Sequence, residues 1–319
     1  MAYVARASAG WRRFIWPAIG FAAIVVSFWL LARELRGMSW VELWQSFHAI
    51  STRNWMLVVG CTLGCYTVLG LYDVLALRHL RRKLNFGFVL ATSLTTYAVA
   101  HNIGASALSG AVIRYRAYST KGLSGAEVGM VVTFCSLTFA LGVMLLLGID
   151  FLLTPTLEQR FAQFLPPALL HWVALGLLLP IVLYLLGSIL SPPPLRIRGF
   201  VLTYPRPAIA LLQLAVAPIE ILFAAGILYF ALPGDGNPGY WVVMAVFVTA
   251  FSLALLSHAP GGLGVFELAV LTALPEFQPE VVLAALLVFR FFYLLIPLAA
   301  GLVMIALFEH SRLRSDDAA

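Results

Sequence analysis

The sequence predicts an all-α integral membrane fold: a polytopic helix bundle of two inverted repeats, each with a re-entrant or broken helical hairpin. Three observations predict it. Apolar residues make up 62% of the chain and charged residues only 11%, against roughly 25% charged in soluble domains. Apolar stretches of about 20 residues, the length that spans a bilayer core, recur along the whole sequence. Two polar, glycine-bearing breaks interrupt such stretches at matching places in the halves 1–160 and 161–319, and no stretch remains for a soluble domain.

The first span runs from Phe14 to Leu35. It is too long for a signal peptide and leads into Arg33, Glu34 and Arg36 without a small-residue cleavage site, so it is read as a permanent helix. Met38 to Ile50 places Trp40, Leu43, Trp44 and Phe47 on one helical face. That pattern suits a short helix lying at the outer interface, where tryptophan is favoured, with a packed loop as the alternative. Further spans run from Trp55 to Leu77, Ala126 to Leu153, Ala168 to Leu190, Ala208 to Leu232, Tyr240 to Leu256 and Val281 to Phe308. Cys61, Cys65 and Cys135 lie inside these stretches, where a thiol behaves as a small hydrophobe.

The net charge of +6 does not point to nucleic acid, because the basic residues sit in short loops between spans. With a cytoplasmic N-terminus, fifteen of the 20 fall inside: Arg6, Arg12, Arg13, the run from Arg78 to Lys83, Arg114, Arg116, Lys121, Arg196, Arg198, Arg206, Arg312 and Arg314. Such a bias sets orientation and places both termini in the cytoplasm.

Between the clusters at Arg81 and Arg114 the chain leaves the cytoplasm and returns through Phe86 to Ile103 and Gly104 to Tyr118. Limbs of fifteen to eighteen residues reach about 22 to 27 Å, short of a core of about 30 Å. The apex His101-Asn102-Ile103-Gly104 puts polar groups and a helix breaker at membrane depth, where irregular backbone must line an enclosed or watery cavity. The second half repeats the feature through Ser257-His258-Ala259-Pro260-Gly261-Gly262-Leu263-Gly264 and on to Leu274, entering from the outside. His101-x-x-Gly104 and His258-x-x-Gly261 are 157 residues apart. Inverted repeats with broken helices meeting near the midplane are a transporter architecture. Two full crossings in place of each hairpin remain the alternative.

Charges inside spans cost roughly 2.5 to 3.5 kcal/mol each on insertion scales and face the protein interior. Glu220 lies near the centre of its span, two residues after Pro218, which removes a backbone hydrogen bond and loosens the helix there. Arg290, inside the last span, is its expected counter-ion. Glu267 follows the Gly261-Gly262-x-Gly264 break by one turn, and Asp73 lies toward the cytoplasmic end of the second span, free to snorkel beside Arg78. Arg114, Arg116, Tyr118 and Lys121 are expected to cluster at the cytoplasmic mouth of the first hairpin, where arginine forks suit an anionic group. His101 and His258, at matching breaks, are candidates for a proton-linked or substrate role.

No GxxxxGK[ST] loop, HExxH, GxSxG or paired Cys/His set occurs. No cofactor and no metal are therefore expected, and no enzyme activity.

The segments Asn102 to Ser124 (NIGASALSGAVIRYRAYSTKGLS), Pro218-Ile219-Glu220 and Pro260 to Glu267 (PGGLGVFE) resemble the transmembrane region of the lysylphosphatidylglycerol synthase family, the flippase part of the multiple peptide resistance factor and its standalone bacterial relatives. The resemblance implies an inverted-repeat domain that moves or binds lipids in a bacterial inner membrane. It puts Asp73, Arg114, Glu220 and the Pro260-Gly261-Gly262 break among the functional residues. After Phe308 only eleven residues follow, so the aminoacyl-transferring domain of the full synthases is not expected. The reading is a lipid flippase whose partners are membrane lipids with anionic or isoprenoid-type headgroups, with a homo-oligomer left open. A membrane scaffold for a lipid-modifying enzyme and an intramembrane lipid transferase are the alternatives.

Overall fold

The computed structural model describes residues 40–316 apart from 104–105, 154–159, 161–165, 192, 194, 198–199, 203 and 257–263. The first span lies outside these residues, as do Gly104, His258, Pro260, Gly261 and Gly262. The described residues form a bundle of eleven helices and one small ribbon, and five helical segments, the last of them Pro279–Phe308 running across two of these helices, are long and apolar enough to cross a membrane. The chain is a multi-pass membrane protein.

A short helix α1 (Trp40–Ala49) leads into α2 (Thr52–His79). The Ser51 side chain caps α2 by accepting the Asn54 N–H at 3.2 Å. Two shorter helices follow, α3 (Phe86–Ile103) and α4 (Ser106–Ser119), then the long α5 (Gly125–Leu153). The turn into α5 uses Gly122 at φ +80°, a left-handed conformation that a side chain would strain. Ser124 and Glu127 then close a reciprocal capping box, with Ser124 N–H to Glu127 at 2.8 Å and Glu127 N–H to Ser124 at 3.3 Å.

Helix α6 (Pro167–Leu190) ends at Ser191, and a ribbon of β1 (Leu195–Ile197) and β2 (Phe200–Leu202) pairs antiparallel with Arg196 opposite Val201. The sequence reading had no strand here, because three-residue strands are too short to show a period of two. Helix α7 (Pro207–Ala231), α8 (Tyr240–Leu256), the short α9 (Val265–Ala273) and α10 (Pro279–Arg290) complete the second half, and α10 continues through a π-helical turn, Phe291–Leu295, into α11 (Ile296–Asp316). Pro167, Pro207 and Pro279 each open a helix at a first position, where the missing N–H costs nothing.

The π turn has a cause in the sequence. Pro297 has no N–H to give the Tyr293 carbonyl four residues earlier. That carbonyl instead accepts the Tyr66 hydroxyl at 2.8 Å, and the Leu294 carbonyl accepts Asn102 Nδ2 at 3.3 Å. Helices α2 and α3 thereby peg the last span at its wide turn.

The core sits along α2 and α7, the most extensive helix contact. Small residues let the backbones approach: a Cβ added at Gly142 of α5 would lie 2.4 Å from Ala217 Cβ of α7, and one at Gly226 would lie 2.8 Å from Cys61 Sγ. Helix α6 sits at the margin, with Trp172, Leu179, Leu183 and Leu190 exposed toward the surroundings, as lipid-facing positions require.

Candidate functional site

Four carboxylates are buried among the described residues, and the three deepest are Asp73, Glu220 and Glu267, at 0%, 1% and 3% exposure. Each stands in a different setting.

Asp73 projects from α2 into a four-helix junction. Arg114 of α4 meets it in a two-point fork, Nη2 to Oδ1 at 2.7 Å and Nε to Oδ2 at 3.0 Å. The Tyr118 hydroxyl donates to Oδ2 at 2.6 Å, and the Cys135 thiol of α5 lies 3.4 Å from Oδ1. The ring of Tyr97, from α3, lies under the guanidinium with its centroid 4.9 Å from Arg114 Cζ. The network thus ties four helices together. Asp73 therefore does not snorkel beside Arg78: full burial demands a cation and donors on the spot.

The expected basic mouth divides for the same reason. Arg114 and Tyr118 turn inward, at 4% and 0% exposure. Arg116 instead faces a groove of about 650 Å³ between α3, α4 and α11, lined also by Phe88, Thr92, Thr95 and Met304. The Lys121 ammonium lies over the Phe88 ring at 5.2 Å.

Glu267 stands at the start of α9, and its Oε2 accepts the N–H of Gly264 at 2.7 Å. Gly264 holds φ +80°, so the helix begins with a left-handed residue that only glycine adopts without strain. Arg290, 23 residues on, reaches Glu267 Oε1 through Nε at 2.8 Å and through Nη2 as well. The expected Glu220–Arg290 pair is therefore corrected: α9 and α10 are joined by one short turn, which brings their buried charges together before either reaches α7.

Glu220 is met by uncharged donors. The Cys65 thiol donates to Oε1 at 3.2 Å and the Tyr72 hydroxyl to Oε2 at 3.5 Å, both from α2. A narrow apolar cleft lined by Phe139, Phe247, Phe251 and Tyr293 runs beside Glu220. Pro218 lies one half-turn before Glu220 on the interior of α7, as the sequence indicates. His101, at the end of α3, stacks on Tyr293 at 5.2 Å between ring centroids, and its Nδ1 is buried without a partner among the described residues. Asn102 beside it donates to the Ala98 carbonyl at 2.8 Å.

Sequence reasoning missed Cys65, Tyr72, Tyr97, Cys135 and Tyr293. One signal was available. Cys65 and Tyr72 recur seven residues apart, two helical turns, so both face the helix that carries Glu220. Asp150 was also passed over; it is buried at 6% exposure near the end of α5, with Oδ2 unpartnered among the described residues.

The chain is 30% identical over 295 residues to the Synechocystis protein slr0712, covering 92% of this chain and 91% of that one. It is 28% identical over 293 residues to the inner membrane protein YbhN of Escherichia coli, covering 91% and 90%. Phosphatidylglycerol lysyltransferase of Staphylococcus aureus is 28% identical over 285 residues, which are 86% of this chain and 32% of the lysyltransferase. A family model described as the lysylphosphatidylglycerol synthase TM region matches residues 18–301, and the chain belongs to that family.

Proposed function

We propose that the protein carries an amphiphilic lipid between membrane leaflets, with the headgroup passing the buried polar groups while the tails stay in lipid. The observation behind this reading is the buried Asp73–Arg114–Tyr118 network, which joins a spanning helix to the short helix α4. A charge network at that depth is costly as mere scaffolding and marks a polar pathway.

The chain architecture supports it. Helices α3 and α4 have 18 and 14 residues, and α8 and α9 have 17 and 9. At 1.5 Å per residue they reach about 27, 21, 26 and 14 Å, all short of a core of about 30 Å. We read each pair as a re-entrant hairpin, and the order long helix, hairpin, long helix in each half as an inverted repeat. In this reading α2 corresponds to α7 and the pairs face opposite membrane sides. The bias of basic residues toward one set of loops supports a bacterial inner-membrane protein with both termini in the cytoplasm.

The resemblance to the staphylococcal phosphatidylglycerol lysyltransferases suggests phospholipid as cargo, and the chain spans about a third of their length. We assign transport rather than catalysis. Protein reconstituted in liposomes should accelerate leaflet exchange of a fluorescent phosphatidylglycerol over protein-free vesicles. The double variant Asp73→Asn/Arg114→Gln, which keeps hydrogen-bonding groups but removes both charges, should slow it severalfold. Exchange at the protein-free rate would reject the reading.

A further inference from the structure

We infer that Glu220 is a proton-binding site, held as the neutral carboxylic acid in the conformation described, and that its proton is exchanged during lipid movement; the coupling rests on the transport reading above.

The inference comes from a contrast within one bundle. Asp73 and Glu267 are each bonded to an arginine. Glu220 is as deeply buried, yet among the described residues no cation lies within 4 Å of it, and its partners are a thiol and the phenols of Tyr72 and Tyr293. An ionised carboxylate without a counter-charge in a low-dielectric interior costs several kcal/mol, and a group so placed takes a proton instead. Uncharged donors at 3.2 and 3.5 Å are too weak to offset that cost.

The groups facing Glu220 from each neighbouring element support the neutral form. Helix α2 presents Cys65, Tyr66 and Tyr72, and Tyr66 spends its hydroxyl on the Tyr293 carbonyl. The π turn presents Tyr293, while α5 and α8 present phenylalanines and valines. On α10 the only cation, Arg290, is turned to Glu267.

The surroundings also provide for exchange. An apolar, aromatic-walled cleft lies beside Glu220, closed to water in this conformation, and Pro218 leaves the Leu214 carbonyl without its helical N–H. Movement of α7 that wets the cleft lets the carboxyl O–H pass its proton to water, giving hydronium and a carboxylate. Reprotonation from the other side closes the cycle with one proton moved.

Two measurements on the reconstituted full chain test this. Infrared difference spectra between neutral and strongly alkaline pH should contain a protonated-carboxyl C=O band that is lost in Glu220→Gln and kept in Asp150→Asn; the second variant is needed because the unpartnered Asp150 contributes a band of its own. In liposomes carrying fluorescent phosphatidylglycerol, a gradient of one pH unit supplies about 1.4 kcal/mol per proton and should skew the steady-state leaflet ratio by up to about tenfold. Absence of a Glu220-dependent band overturns the proton site. Equal leaflet ratios with and without the gradient, at normal exchange rates, overturn the coupling. No exchange under any condition rejects the transport reading and the coupling together, while the infrared band still decides the proton site.

Discussion

Arg114 and Asp73 meet through two parallel contacts of 2.7 and 3.0 Å with both side chains almost wholly out of solvent. A forked guanidinium matches a carboxylate in a way an ammonium does not. Removing one partner leaves the other as a buried, unpaired charge, which costs about 3 to 5 kcal/mol. Arg114→Ala and Asp73→Ala should therefore each lower thermal stability in detergent strongly. Arg114→Lys should recover only part of the loss, because one ammonium cannot span both oxygens.

The Glu267–Arg290 pair should show strong coupling. Glu267→Gln and Arg290→Leu each break the buried pair from one side, whereas the double variant removes both charges together. The double-mutant cycle should give an interaction energy of about 1 to 3 kcal/mol by thermal or denaturant unfolding. Additive losses would mean that the two side chains do not share one environment.

Close helix packing at Gly142 leads to a steric prediction. Gly142→Ala drives a methyl to within 2.4 Å of Ala217 Cβ and should cost about 1 to 3 kcal/mol. Gly176→Ala on α6, where an added Cβ meets nothing within 4 Å, should be tolerated. Unfolding of the two variants in the same detergent compares them directly.

At the turn between α9 and α10, hydrogen bonding from Arg160 holds the Glu276 carboxyl below its ordinary value of 4.5. Arg160 Nη1 lies 3.0 Å from Glu276 Oε2 and 2.6 Å from the Ala273 carbonyl. A carboxyl whose folded-state value is depressed stabilises fully above its unfolded value and loses that contribution as pH falls through the folded one. Stability should thus decline below about pH 4.5 by a term that Glu276→Gln removes. Partial exposure limits the term to about 0.2 to 1 kcal/mol, measured as the difference between the two pH profiles of melting temperature.

Helix positions were legible because proline opens α6, α7 and α10 and the apolar runs end where the helices end; the expected Phe86 to Ile103 and Tyr240 to Leu256 limbs coincide with α3 and α8. Three of the four buried acids were legible too, since a carboxylate inside an apolar run is costly, while Asp150, near the end of its run, was passed over. Their partners were not. Pairing depends on the rotation of each helix about its axis, so Arg290 could be placed at the right depth and still assigned to Glu220 instead of Glu267. Tyrosines and cysteines escaped notice because membrane helices commonly carry both, and only the fold shows that Cys65 and Tyr72 converge on one carboxyl.

The wide turn at Phe291–Leu295 has a consequence for how this chain tolerates change in length. Each residue of an α-helix advances the side chains by about 100°. Regularising this turn at its present length would rotate everything beyond it by that angle, carrying Met304 away from its contact with Thr95 Oγ1 at 3.4 Å and Phe308 out of the groove, whereas removing one residue as well would leave the far segment in register. The irregular winding thus sets the phase of α11, and a single-residue deletion should be tolerated better at this turn than in the regular helix on either side.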